Sequence, residues 1–112
     1  MHHESRTLSH VDLEPAVVDA RRGKARIIDV REPDELTGDL GHIAEAEPVP
    51  LGRLTVVARA WPKDDELIMV CRSGGRSSRA AAELTRMGFT RVSNMLGGML
   101  RWHQEGRESH RT

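Results

Sequence analysis

Short apolar runs that alternate with helix-like patterns are the feature of this sequence that most restricts its fold. Three runs are typical of buried strands, namely Ala25–Val30, Leu67–Val70 and Arg91–Leu96. Helix-forming patterns lie between them, so the sequence predicts an α/β domain with a mostly parallel sheet. In such sheets ligands bind beyond the carboxyl ends of the strands, and the residues that follow each run are therefore the first candidates for a site.

The other elements are shorter and less regular. We expect an edge strand at Arg6–Ser9, a short helix at Pro33–Leu36, a strand at Glu47–Pro50, and helices at Leu54–Ala60, Ser77–Met87 and Met99–Gln104. Pro48 restricts its strand to a sheet edge, because proline has no N–H to donate. The polar tail beyond Gly106 is predicted to fray.

An apolar stripe with helical spacing precedes the first buried strand. Its members follow the order i, i+3, i+4, i+7 and are Leu13, Ala16, Val17 and Ala20. Asp12 is the preferred N-cap of this helix, because it places Pro15 in the first turn, and Gly23 ends the helix.

Length, charge and cysteine content exclude several classes of protein. The chain has 112 residues, enough for one domain, and no apolar run approaches the ~18 residues of a membrane helix. Lys+Arg and Asp+Glu are both 17, and this balance argues against a nucleic-acid partner. The start shows no secretory signal, and the only cysteine, Cys71, cannot form an internal disulfide. We therefore expect a cytoplasmic protein with no nucleic-acid or membrane partner.

No metal or other cofactor is expected. Five histidines are scattered along the chain without the spacing of a metal motif: His2, His3, His10, His103 and His110. A single cysteine adds no cysteine-based zinc site. The chemistry of this chain must therefore come from its side chains and backbone.

The segment Cys71–Ser78 carries the strongest chemical signal. It joins a buried strand to the N-terminus of a predicted helix. Gly74–Gly75 allows a tight turn whose N–H groups converge on one centre, and the helix dipole adds positive charge there. Arg72 and Arg76 add two cations, which favour a thiolate and attract an anion. A lone cysteine is more often a buried apolar residue, but this loop favours a reactive thiol at Cys71.

The chain resembles the single-domain rhodaneses over about Leu8 to Gly106. The matching motifs are Ile28–Glu32, Gly41–Ile43, Cys71–Ser77, and Gly97–Met99 with Trp102. Each motif is short, but four of them in this order and at these distances are specific. The resemblance implies a rhodanese-like three-layer fold, in which helices flank both faces of a five-stranded parallel sheet. It also implies a single domain over residues 1–112, with a core of about residues 6–106.

The resemblance further implies a sulfurtransferase. Cys71 would take the outer sulfur of a small anionic donor such as thiosulfate and hold it as a persulfide. Cyanide or a thiol would then remove the sulfur, the thiol belonging to a thioredoxin-like protein or to a low-molecular-weight compound. The residues implied to bind substrate are Arg31, Arg72, Ser73, Gly74, Gly75, Arg76 and Ser77.

Two residue types near the first motif allow more than one interpretation. Asp29 and Arg31 are equally consistent with a structural ion pair and with a role in substrate entry. By resemblance, Arg31 is expected near the pocket mouth and Asp29 is expected to be structural. His42 is expected to make a structural hydrogen bond. Glu45 and Pro48 depart from the family's usual pattern, which leaves the geometry of this sheet edge open.

Three other functions stay open. One is a protein persulfide carrier in a sulfur relay, another is a phosphatase or arsenate reductase on the same fold, and the third is an inactive interaction module. Four residues separate Cys71 from Arg76, whereas related phosphatases have five, so the loop favours sulfur transfer. The loop also lacks the mercaptopyruvate pattern, which favours thiosulfate-type donors. The intact Cys71 argues against an inactive module.

Overall fold

The computed structural model of the chain describes residues 10–112, so the strand predicted at Arg6–Ser9 lies outside the described residues. Strands and helices alternate along the described chain. In chain order they are β1 (Val11–Leu13), α1 (Pro15–Ala20), β2 (Arg26–Asp29), α2 (Pro33–Leu36), β3 (Glu47–Pro48), α3 (Leu54–Val57), β4 (Leu67–Val70), α4 (Gly75–Arg86), β5 (Val92–Met95) and α5 (Gly98–Gln104). Short 3₁₀ turns at Leu51–Arg53 and Ala58–Ala60 flank α3.

The five strands form one parallel sheet in the order β1–β5–β4–β2–β3. β4 is the central strand and is buried along its whole length. Its side chains alternate between two cores, because successive residues of a strand point to opposite faces. Leu67 and Met69 pack in one core, whereas Ile68 and Val70 pack in the other. The predicted α/β fold with a five-stranded parallel sheet is confirmed.

Each face of the sheet is covered by helices. On one face, α3, the 3₁₀ turn after it and α4 contribute Leu54, Ala58, Ala80, Ala81 and Leu84 to the core. On the other face, α1 and α5 contribute Val18, Met99 and Trp102. No helix of residues 10–112 is long and apolar enough to cross a membrane.

The prediction for the first helix is wrong in its start and in its buried face. Leu13 belongs to β1 and pairs with Met95 of β5, so the backbone is extended where the stripe predicts helix. The helix begins after Glu14, with Pro15 in its first turn. Pro15 and Val18 face the core, while Val17 of the predicted stripe is 43% exposed. Pairing with β5 outweighs the weak helical periodicity of this segment.

The edge strand β3 is confirmed at the position of Pro48, but it is only two residues long. It pairs with β2, and Val49 N–H then donates to the Asp29 carbonyl at 3.0 Å. Proline is tolerated there because no further strand needs its missing N–H. The departure from the family pattern therefore leaves a short edge strand in place.

The prediction of a frayed tail beyond Gly106 is wrong. His42 and His110 exchange two backbone hydrogen bonds, at 2.7 and 2.8 Å. The indole Nε1 of Trp102 donates to the Glu108 carbonyl at 3.0 Å. The tail therefore crosses the loop that precedes β3 and satisfies a buried tryptophan.

Candidate active site

Cys71 lies directly after β4, at the carboxyl edge of the sheet. The chain turns through Arg72, Ser73 and Gly74, and α4 begins at Gly75. Gly74 has φ +107°, a left-handed conformation that side chains strongly disfavour. This turn directs backbone N–H groups back toward the end of the strand.

The Cys71 sulfur accepts hydrogen bonds from this loop. The Gly74 N–H donates to Sγ at 3.1 Å, and the Ser77 N–H donates to it at 3.3 Å. The Ser77 Oγ lies 3.2 Å from the same sulfur. Cys71 is 1% exposed, so these contacts form where little water competes for the sulfur.

The environment lowers the pKa of the Cys71 thiol. Burial raises this pKa, because a buried thiolate loses its hydration. In the thiolate form, hydrogen bonds from the Ser77 hydroxyl, and from the N–H groups of Ser77, Gly74 and Ser73, outweigh burial and bring the pKa below its ordinary value. The thiolate is the nucleophilic form, so the loop favours a reactive sulfur.

The N-terminus of α5 supports the other side of the loop. Met99 N–H donates to the Cys71 carbonyl and Leu100 N–H donates to the Arg72 carbonyl, both at 2.9 Å. A Cβ on Gly98 would lie 2.4 Å from the Arg72 carbonyl oxygen, and Gly98 has φ +57°. Only glycine permits this close approach, which fixes the carbonyl groups of the loop on the side away from the sulfur.

Arg76 is paired with an acidic residue that the sequence analysis did not identify. Its guanidinium donates two hydrogen bonds of 2.8 Å to the Glu35 carboxylate of α2. The bond from Arg76 is the main cause that lowers the pKa of Glu35, to about 2, and the pairing raises the pKa of Arg76. A cation in the first turn of a helix is unfavourable, and this cost was the sequence signal that an acidic partner existed.

Arg31, which the resemblance places near the pocket mouth, is buried. It is 1% exposed and forms a bidentate pair with Asp29, with distances of 2.9 and 2.8 Å. Its guanidinium also donates to the carbonyl groups of Gly41, at 2.7 Å, and Glu35, at 3.3 Å. All three guanidinium nitrogens are thus engaged with the protein, so Arg31 joins β2 to the loop after α2.

The predicted structural residues lie at the same edge. Asp29 is buried at the end of β2, and its carboxylate also accepts from the Arg31 N–H at 3.2 Å. The Nδ1 of His42 lies 2.9 Å from the Leu36 carbonyl oxygen. These contacts hold α2, and with it Glu35, against the end of the sheet.

Arg72 is the exposed cation of the loop. It borders a crevice of about 220 Å³ that is also lined by Glu35, Gly38, Asp39 and Leu40. Within residues 10–112, Arg72 has no carboxylate within ion-pair distance. Among the described residues, it is therefore the guanidinium of the loop that no carboxylate neutralises.

A buried polar pair behind the sulfur was also missed. Ser77 is fully buried, and its Oγ makes a short hydrogen bond to Oδ1 of Asn94, which is 4% exposed. The Asn94 Nδ2 donates to Asp12 Oδ1 at 3.2 Å. The signal in the sequence was an asparagine within a predicted strand, since asparagine is depleted in strands and a buried amide needs partners.

Comparisons with known proteins agree with this geometry. The profile of the rhodanese-like domain matches residues 14–105. A sulfurtransferase of Allochromatium vinosum is 35% identical over 80 residues, which cover 71% of this chain and 73% of that protein. A putative sulfur carrier protein of Bacillus subtilis is 37% identical over 76 residues, which cover 68% of this chain and 40% of that protein.

A solved structure supports the same assignment. The crystal structure of a rhodanese-related protein from Thermoplasma volcanium has a TM-score of 0.80 at 26% identity, covering 88% of this chain and 96% of that one. The fold and the site define an α/β protein with a buried, hydrogen-bonded cysteine in a loop at the end of a central strand. The chain belongs to the rhodanese-like domain family, and the names of its relatives point to sulfur transfer as the general activity.

Proposed function

We propose that this protein is a sulfurtransferase that moves sulfane sulfur from a thiosulfate-type donor to a thiophilic acceptor through a persulfide on Cys71. The observation that carries the proposal is the buried Cys71 sulfur with two backbone N–H donors at 3.1 and 3.3 Å. Such donors stabilise negative charge on the sulfur before the reaction and on the persulfide after it.

The reaction has two displacements. The Cys71 thiolate attacks the outer sulfur of thiosulfate, a new S–S bond forms, and sulfite leaves with the electron pair of the broken S–S bond. An acceptor thiolate or cyanide then attacks the terminal sulfur of the persulfide, and the electron pair returns to Cys71 as a thiolate. Neither step requires a general base, because the lowered pKa of Cys71 supplies the nucleophile.

Arg72 is the residue we assign to recognition of the anionic donor. Arg76 shares the loop, but its charge is already matched by Glu35 at 2.8 Å. A thiosulfate dianion whose outer sulfur reaches Cys71 would therefore be attracted mainly by Arg72 and by the N–H groups of the loop. Asp29, Arg31 and His42 support this edge of the sheet rather than contact the donor.

A protein persulfide carrier is the second candidate. Pairing of Arg76 with Glu35 neutralises one of the two cations of the loop, and this observation favours a donor that carries little negative charge. The match to a putative sulfur carrier protein of Bacillus subtilis supports the same alternative. The acceptor would be a thiol of a thioredoxin-like protein or of a small molecule.

The proposal extends to the chain as a whole. We propose one domain over residues 1–112, supported by the match of the family profile to residues 14–105 and by the single sheet. We also propose a cytoplasmic location, because a reducing compartment would keep the one thiol free between turnovers.

The intact mass of the protein after incubation with thiosulfate tests the central step. We expect a gain of one sulfur atom, which cyanide reverses, and no gain in the Cys71→Ser variant. Sulfur transfer that persists in Cys71→Ser would contradict the assignment of the nucleophile. Circular dichroism of the variant verifies that it folds.

Three assays separate the candidate functions. Steady-state turnover with thiosulfate and cyanide is expected for the sulfurtransferase. Loading from a persulfidated small thiol but not from thiosulfate would favour the carrier. Hydrolysis of a phosphate ester would favour the phosphatase, against which the four-residue spacing of Cys71 and Arg76 argues.

A further inference from the structure

A chain of hydrogen bonds runs from the sheet edge to the back of the reactive sulfur. Asp12 of β1 accepts from Asn94 Nδ2 at 3.2 Å, Asn94 Oδ1 contacts the Ser77 Oγ, and the Ser77 Oγ lies 3.2 Å from Cys71 Sγ. Asn94, Ser77 and Cys71 are all nearly inaccessible to solvent. Their hydrogen bonds must therefore be satisfied within the protein.

The available donors and acceptors fix the direction of each hydrogen bond in this series. A carboxylate only accepts, so the Asn94 amide group turns its NH₂ toward Asp12 and its oxygen toward Ser77. An amide oxygen also only accepts, so the single hydroxyl proton of Ser77 lies between Ser77 and Asn94. While Cys71 is a neutral thiol, the Ser77 oxygen then offers it only a lone pair, so across the 3.2 Å contact the S–H donates to Ser77.

This direction opposes the backbone of the loop. A hydrogen bond that the thiol donates favours the neutral form, whereas the N–H groups of Gly74 and Ser77 favour the thiolate. When the sulfur becomes anionic, Ser77 can donate to it only by breaking its bond to Asn94. Asn94 Oδ1 is then left without that donor in a buried site, and this loss has a free-energy cost.

We propose that Asn94 is a positioning residue that controls the fraction of Cys71 thiolate by holding the Ser77 hydroxyl proton away from the sulfur. The inference rests on the proposed function, since it concerns the nucleophile of the same reaction. Asn94 does not touch the sulfur, so it would act on Cys71 only through the Ser77 hydroxyl. Formation of the thiolate, or of the anionic persulfide, requires the hydroxyl to rotate from Asn94 to the sulfur.

Charged groups on the elements around the thiol must be considered in any pH dependence. They are Arg72 and Arg76 of the loop, Asp29 and Arg31 at the end of β2, Glu35 of α2, and Asp12 and His10 at β1. Asp29 pairs with Arg31, and Arg76 pairs with Glu35. Asp12 is 51% exposed, with His10 Nε2 at 3.6 Å from its carboxylate and at 3.4 Å from the Ser78 Oγ. His10 is thus the imidazole that contacts this series of hydrogen bonds, and the His10→Gln variant controls for it.

The pH dependence of Cys71 alkylation by iodoacetamide tests the proposal without any sulfur donor. We expect Asn94→Leu, which removes the acceptor at similar size, to free the hydroxyl to donate to the sulfur. The midpoint should fall by about 0.5–1 pH unit, which corresponds to a threefold to tenfold higher ratio of thiolate to thiol below the midpoint. In the Ser77→Ala background, Asn94→Leu should cause no shift, because there is no hydroxyl to redirect.

The double-mutant comparison decides between positioning and simple disruption. An unchanged or raised midpoint in folded Asn94→Leu, or the same shift in both Ser77 backgrounds, would overturn the proposal. The Asn94→Leu substitution is also measured in a His10→Gln background. If its midpoint shift disappears there, the effect belongs to the imidazole and the proposal is overturned.

Asp12→Asn provides a second route should Asn94→Leu fail to fold. Asp12 is half-exposed, and its replacement lets the Asn94 amide group turn over and release Ser77. We expect a smaller downward shift that persists at high salt, whereas a purely Coulombic effect of Asp12 would be screened and would overturn the proposal. Absence of the persulfide in the mass experiment would instead refute the proposed function. The alkylation midpoints would still test the role of Asn94, because that assay uses no sulfur donor.

Discussion

The pKa of the Cys71 thiol depends on hydrogen bonds from individual groups of the loop. Because these bonds lower the pKa of the thiol, the unfolded chain binds more protons than the folded chain as pH approaches the ordinary thiol value. Stability from this group therefore rises with pH through that window, is complete above about pH 8.5, and is lost as pH falls through the folded pKa. We expect the alkylation rate of the folded protein to be flat across neutral pH and to fall in mild acid. A folded rate that still climbs through about pH 8.5, as in the unfolded protein, would show that the loop does not activate the thiol.

The Glu35–Arg76 pair sets how much positive charge the loop offers to a donor. Glu35→Gln should keep the hydrogen bond to the Glu32 N–H but remove the negative charge that neutralises Arg76. We expect KM for thiosulfate to fall by about twofold to fivefold at low salt, the scale of a partly exposed ion pair. Salt should reduce the gain, because the freed charge is screened.

Asp34→Asn is the matched control for Glu35→Gln. Asp34 is an exposed carboxylate of the same short helix, so its replacement changes the net charge equally without freeing Arg76. We expect KM for thiosulfate to stay near the wild-type value in this control. If Glu35→Gln weakens the use of thiosulfate and of a neutral persulfide donor alike, the pair shapes the loop and does not tune its charge.

The junction of α5 with the active-site loop shows how one element holds another. A Cβ at Gly98 would lie 2.4 Å from the Arg72 carbonyl, in a backbone conformation with φ +57°. We expect Gly98→Ala to reduce the free energy of unfolding by at least about 2 kcal/mol and to slow alkylation of Cys71, because the loop must shift. Gly52→Ala, where no atom lies within 4 Å, should change stability by less than about 1 kcal/mol. Urea denaturation measures both, and equal costs would contradict the role assigned to this junction.

The strands differ in how well the sequence predicts them. The central strands were predictable because continuous apolar runs such as Leu67–Val70 have no other place than a buried sheet. The short strand β1 was not, because three residues that are mostly exposed carry no clear period, and pairing with β5 overrides the helical stripe at Leu13.

The candidate site divides in the same way. Cys71 and its glycine loop were evident from local spacing, since a strand, a tight turn and a helix start follow one another in the chain. Contacts between distant segments were not, because Glu35 meets Arg76 across 41 positions and Asn94 meets Ser77 across 17. The sequence allowed Arg31 either a structural ion pair or a role in substrate entry, and its buried pair with Asp29 favours the structural role.

At the scale of the whole molecule, the C-terminal tail joins parts of the fold that are distant in the chain. Arg107 pairs with Asp19 of α1 at 3.0 Å, and His110 pairs through its backbone with His42, in the loop before β3. Trp102 depends on this tail for the acceptor of its indole N–H. The tail therefore contributes to the stability of the sheet face that α1 and α5 cover.

Two glycines with similar backbone conformations isolate the contribution of the tail. Gly41 has φ +63° and Gly23 has φ +80°, so alanine at either position incurs a similar conformational cost of about 1–2 kcal/mol. A Cβ at Gly41 would also lie 2.6 Å from the His110 carbonyl oxygen, whereas a Cβ at Gly23 would meet no atom within 4 Å. We expect Gly41→Ala to destabilise the protein clearly more than Gly23→Ala in urea denaturation. Truncation after Gly106 should itself cost about 1–3 kcal/mol, because Trp102 loses its acceptor, and it should abolish the excess cost of Gly41→Ala. An excess that survives truncation would mean that the tail does not press on Gly41 and that its contacts add little to the folded state.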